Sequence, residues 1–106
     1  MPKYLLHASY TAEGVQGLLK DGGSKRRAAA EQAIKGLGGR LEGFYFAFGD
    51  TDVFAIADAP DNISAAAVSL AVTASGLVRT KMTVLMTPEE MDQATKKSVS
   101  YRPPGK

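Results

Sequence analysis

At 106 residues, the chain has room for one core, and its composition (44% hydrophobic, 23% charged) is that of an ordinary globular domain, neither disordered nor fibrous. It contains no cysteine, which excludes disulfides, thiolate metal sites and cysteine nucleophiles and makes the reducing cytoplasm the expected compartment. The net charge of +2 rests partly on terminal basic residues (Lys96, Lys97, Arg102, Lys106), and no run approaches ~20 apolar residues, so neither nucleic acid nor a membrane is an expected partner.

Residues 3–10, short and aromatic-rich, read as a first strand. Thr11 is placed to cap the helix that follows, and Glu13 suits its first turn. Helical spacing continues through Val15, Leu18 and Leu19 and then Ala29, Ala33, Ile34 and Leu37, with Gly22-Gly23 as an interruption. The pattern predicts two helical pieces, the second capped by Ser24 and ended by Gly38-Gly39.

From Arg40 the run Leu41-Glu42-Gly43-Phe44-Tyr45-Phe46-Ala47-Phe48 reads as a second strand, and Gly49-Asp50 as a turn. A third strand over residues 52–58 lies close enough behind to pair with it as a hairpin. Pro60-Asp61 starts an alanine-rich helix with a stripe of Ile63, Ala66, Ala67, Leu70, Ala71 and Ala74, stopped by Gly76. Residues 77–86 alternate as a fourth strand, and Thr87-Pro88-Glu89-Glu90 is a capping box with proline at the first helical position. Residues 1–100 are expected to form the domain and 101–106 an extended tail.

The order β-α-β-β-α-β plus a terminal helix predicts an α+β, ferredoxin-like fold with both helical layers on one face of a four-stranded antiparallel sheet. In the second and third strands both side-chain parities are substantially apolar: Leu41 and Tyr45 against Phe44, Phe46 and Phe48, then Val53 and Ala55 against Phe54 and Ile56. A sheet wet on one side should alternate cleanly, so the second face is expected to be covered, most simply by another copy of the chain.

Several segments together resemble the GYD-domain family: Ser9-Tyr10-Thr11-Ala12-Glu13-Gly14, residues 17–23, Phe44-Tyr45-Phe46-Ala47-Phe48-Gly49, Ala59-Pro60-Asp61, Val78-Arg79-Thr80 and residues 85–90. Gly49 and Asp52 match the name-giving pattern, whereas Thr51 stands where the family commonly has tyrosine, so any role of that ring is absent. The resemblance implies a fold of the dimeric α/β-barrel type, with two sheets facing each other. In related groups it implies small-molecule sites between sheet and helices, and it supplies no reaction.

His7 is the only histidine, a weak catalytic candidate as a general acid or base, weighed against a hydrogen-bonded structural histidine on a part-buried face. Arg79 and Lys81 share one parity of the fourth strand and suit a carboxylate or phosphate; alternatively they pair with Asp52 or Asp58. Tyr10 and Tyr45 are candidate hydrogen-bond donors to a ligand, although a tyrosine in such a place is more often an amphipathic core or interface residue. Residues 20–27 look superficially like a phosphate loop but lack its glycine-lysine spacing, and a lid or subunit contact is the competing reading. No Ser-His-acid arrangement is legible, no metal set is expected with one histidine and no cysteine, and no cofactor is implied.

These residues suit a homo-oligomeric domain that binds a small anionic organic ligand through His7, Arg79, Lys81 and Tyr45, with an enzymatic role left open. The alternative is a non-catalytic assembly module in which the same residues form ion pairs between subunits.

Overall fold

Eight elements follow one another in the computed structural model, which describes residues 1–106: β1 (Lys3–Tyr10), α1 (Ala12–Asp21), α2 (Gly23–Gly36), β2 (Arg40–Phe46), β3 (Val53–Asp58), α3 (Asn62–Ala74), β4 (Val78–Leu85) and α4 (Pro88–Thr95). The strands form one antiparallel sheet in the order β2-β3-β1-β4, the ferredoxin-like arrangement expected from the element order. No helix is long and apolar enough to cross a membrane.

Local chemistry explains most boundaries. The Thr11 hydroxyl accepts the Gly14 N–H at 3.2 Å to start α1, and the Asp61 carboxylate accepts the Ser64 N–H at 2.8 Å to start α3. At α4 the capping box is complete: Thr87 N–H donates to Glu90 Oε1 at 2.9 Å and Glu90 N–H to Thr87 Oγ1 at 3.1 Å.

The break between α1 and α2 is one residue wide. Gly22, at φ 81°, closes α1 by giving its N–H to Leu18 O at 2.7 Å and also serves as the N-cap of α2. Ser24 is therefore not the cap expected of it: the left-handed glycine turns the chain early enough for α2 to begin at Gly23, and no side chain caps that helix.

The hairpin expected between the second and third strands is present, but β2 carries a bulge between Leu41 and Gly43. Leu41 pairs with Ala57, and Gly43, two residues on, pairs with Ile56, the residue adjacent to Ala57. The extra residue moves Leu41 to the same side as Phe44 and Phe46 and leaves Tyr45 on the other, so the simple parity grouping of Leu41 with Tyr45 does not hold.

The helix-covered side of the sheet carries Tyr4, Ala8, Val53, Ala55 and Val78, all buried, with Ile34 from α2 and Ala65 from α3 above them. Thr80 on the same side bonds the Ser69 and Thr73 hydroxyls of α3, and the Tyr4 hydroxyl donates to Asn62 Oδ1 at the start of that helix. With Gly14, the buried residues number eight of 106, a thin core for this length.

Every residue from Met86 to Lys106 is exposed, and α4 buries none of its own. This terminal arm helps account for a radius of gyration of 16.9 Å, against about 13 Å for a compact chain of this length. The tail is not wholly extended: Lys106 N–H donates to Pro103 O at 3.1 Å, closing a turn in which Arg102 Nε also bonds Lys106 O.

Candidate functional site

No helix lies over the second side of the sheet. Following the register outward from β1, Leu5 stands between Ile56 and Thr83, His7 between Phe54 and Lys81, and Ser9 beside Arg79, with Tyr45 next to Phe54 on β2. The centre of this open face is apolar: Leu5, Phe54 and Ile56 are half-buried, and Tyr45 is 66% exposed. The His7 ring meets Phe54 edge-on, with centroids 5.1 Å apart.

Three of the residues singled out from the sequence therefore gather beside one another. His7 and Lys81 are direct cross-strand partners, and Arg79 is one same-face position further along β4. Tyr45 shares the face across Phe54. Tyr10 does not join them: it pairs with Val78 on the helix-covered side and packs against the Ala8, Val53 and Val78 cluster.

Arg79 and Lys81 do not pair with Asp52 or Asp58. β1 separates β3 from β4, and Asp58 sits at the opposite end of the sheet from Arg79. Asp58 instead takes Lys3 at 3.0 Å and Arg40 at 3.3 Å, and Lys3 also reaches Glu42 at 3.0 Å, forming an ion cluster at one end of the open face. The Lys3 ammonium and, less strongly, the Arg40 guanidinium hold the Asp58 carboxyl below its usual range, while the Glu42 and Asp58 carboxylates raise the Lys3 ammonium. The spacing of these residues in the sequence gave little sign of this cluster, because the β2 bulge helps to bring Glu42 to Lys3.

Asp52 is occupied by the backbone. Its carboxylate accepts the Tyr10 N–H at 2.8 Å, its own N–H donates to Ala8 O at 2.9 Å, and its carbonyl accepts the Ala47 N–H at 2.8 Å. With the Ser9 hydroxyl donating to Asp50 O at 2.7 Å, these bonds tie the β2–β3 loop to the end of β1. Gly49, at φ 113°, makes the reversal, and Thr51 lies half-buried between the two aspartates. The glycine and aspartate of this turn thus have a structural task in this chain.

Arg79 and Lys81 are exposed and unpaired on an edge strand. There they can meet an anion, and they also discourage another strand from adding to the edge. The five main hollows of the chain lie on the helix side or along the β2 margin, and none of these five is on the open face. One of about 30 Å³ beneath α2 and α3 is too small for an organic ligand, and one of about 270 Å³ lies between α1 and the α3–β4 turn, bordered by Tyr10. No cluster of three or more His, Asp or Glu side chains is placed to hold a metal ion.

The model of the GYD domain matches residues 4–95, most of the chain. No curated protein and no solved structure shows significant similarity to it.

Proposed function

We propose, from the premise that the chain belongs to the GYD domain family, that it is a self-associating domain that binds a small anionic organic ligand where two copies meet. The observation that carries this reading is the uncovered sheet face. Leu5, Phe54, Ile56 and Tyr45 form an apolar centre on a side that no element of the same chain covers. The small number of buried residues supports the same conclusion, since a thin monomer core gains most from burying further apolar surface. A second copy supplies a like surface by two-fold symmetry.

In that arrangement Arg79 and Lys81 stand beside the joint with no protein partner, where desolvation by the second copy would strengthen their hold on a carboxylate or phosphate. His7, packed on Phe54 and next to Lys81, would line the same spot.

Native mass spectrometry of the purified protein tests the reading. A multiple of 11.2 kDa is expected, with Phe54→Glu returning the single-chain mass because a charge cannot be buried unpaired at the centre of the joint. A wild-type mass of one chain would refute self-association. Arg79→Met with Lys81→Met should keep the oligomer and lose any bound anion; dissociation of the oligomer instead would establish the assembly-module alternative, in which these cations serve contacts between subunits.

A further inference from the structure

Helix α1 contains two interior glycines, Gly14 and Gly17, each of which weakens a helix relative to alanine. Gly14 has a packing reason. It is buried, and a Cβ there would run into the Leu77 carbonyl oxygen and stand 3.1 Å from both the Leu77 carbonyl carbon and Tyr10 Cδ1. Gly17 has none within the chain, since a Cβ at that position meets nothing within 4 Å.

The space beside Gly17 is the groove of about 270 Å³ between α1 and the α3–β4 turn. Its walls are Leu18, Val72, Leu77 and Val78, and Tyr10 lies at its side. Tyr10 gives its backbone N–H to Asp52, while its hydroxyl has no partner in the chain. The volume approaches the lower end of ordinary small-molecule pockets, roughly 300 Å³.

Arg26 borders the same groove and is half-buried, with no ion pair in the chain. It lies in the first turn of α2, where the helix dipole is already positive, no side chain caps the helix and the turn itself carries no acidic residue. A guanidinium in that setting is poised for an anion. Asp21, also on the rim and also unpaired, limits how much negative charge the site accepts, so one carboxylate suits it better than a polyphosphate.

We propose that this groove is a binding site for a small organic monocarboxylate with a compact apolar body. The carboxylate sits on Arg26, the body lies against Leu18, Val72 and Leu77, and Gly17 is bare so that the body can enter. The site is complete within one chain, on the opposite side of the sheet from Arg79 and Lys81, and does not depend on subunit association.

The test is amide chemical-shift mapping of the full-length ¹⁵N-labelled chain titrated with benzoate, with isovalerate, and with benzamide as the uncharged counterpart of benzoate. Saturable shifts are expected around residues 14–26 and 72–78 with at least one acid, and benzamide should bind about tenfold more weakly than benzoate if benzoate is the acid that binds. Gly17→Leu, whose side chain would occupy the groove without a clash at Cβ, should abolish those shifts while the rest of the spectrum is preserved. Arg26→Met should weaken the acid by a similar factor of about ten.

The proposal is overturned if neither acid produces saturable shifts in the groove, if Gly17→Leu leaves them intact, or if benzoate binds and benzamide matches it. Shifts confined to His7, Arg79 and Lys81 would also overturn it while supporting the open-face site. Conversely, loss of oligomerisation in Phe54→Glu would leave this binding unchanged.

Discussion

Substituting the two glycines of α1 by alanine should shift stability in opposite directions. In a helix interior glycine is about 0.5–1 kcal/mol worse than alanine, so Gly17→Ala, with open space around the new methyl, should gain about that much. At Gly14 the same gain is outweighed. The methyl would push α1 away from the Leu77 carbonyl, which accepts both the Thr11 N–H at 2.9 Å and the Thr11 hydroxyl at 3.2 Å. Weakening those bonds costs about 1 kcal/mol each, and forcing a methyl into a filled site costs about 1–3 kcal/mol, so a net loss of about 2–4 kcal/mol is expected once the helix gain is subtracted. For a domain of this length that corresponds to a melting temperature lower by about 10–20 °C for Gly14→Ala, and higher by a few degrees for Gly17→Ala. Thermal unfolding followed by circular dichroism at one fixed protein concentration measures both, the concentration being held because association shifts the midpoint. If the two variants move in the same direction by similar amounts, the assignment of Gly14 to close packing and Gly17 to an open groove is wrong.

The β2–β3 loop supplies another contrast. Asp52→Ala removes the acceptor of the half-buried Tyr10 N–H and should cost about 1–3 kcal/mol in urea denaturation, while Asp50→Ala, which keeps the carbonyl that accepts Ser9, should stay within about 0.5 kcal/mol of wild type. The pH dependence of unfolding should show a carboxylate limb. Asp58 is held below the usual value of 3.8 by Lys3 and Arg40, and Asp61 by the Ser64 N–H it accepts, so both contribute stability above that pH and lose it as pH falls through their folded values. Asp58→Asn should flatten this acid limb below about pH 4, and an unchanged slope would show that the Lys3–Asp58–Arg40 cluster carries no stabilising charge interaction. Lys3 has the opposite sign: its raised value means that its contribution is present below 10.5 and disappears as pH rises above it.

Much of the architecture was legible because the signals are local. Proline and threonine before Glu90, aspartate after Pro60 and glycine after the helices act within four residues, and the α4 capping box, the Asp61 cap and the Gly38 and Gly76 turns all appear where their residue types require them. Ser24 misled because two mechanisms compete at a glycine-glycine-serine junction. A positive φ at Gly22 turns the chain first and leaves the serine inside the helix.

The candidate site divides along the same line. His7, Lys81 and Arg79 come together because both strands are regular and their side chains alternate without interruption, so proximity followed from pairing β1 with β4. Tyr10 went to the other side, and the expected partners Asp52 and Asp58 were committed elsewhere, one to a backbone N–H and one to Lys3 and Arg40. Neither outcome follows from residue type. Tyr10 has the opposite parity to His7 on β1 and so faces the helices, while the partners of the two aspartates depend on strand order, which places β1 between β3 and β4.

The groove beside Gly17 illustrates the same limit. Nothing in their residue type or spacing distinguishes Gly14 from Gly17, three residues apart on α1; only the position of the Leu77 carbonyl separates the one that packs from the one that faces empty space. By itself the sequence determined the elements, their order and a sheet with two apolar sides, because capping, periodicity and turn chemistry act over a few residues. Tertiary structure alone decided which charges are paired, which face is left open and where a ligand-sized hollow lies, because these depend on contacts between residues 18 to 66 positions apart.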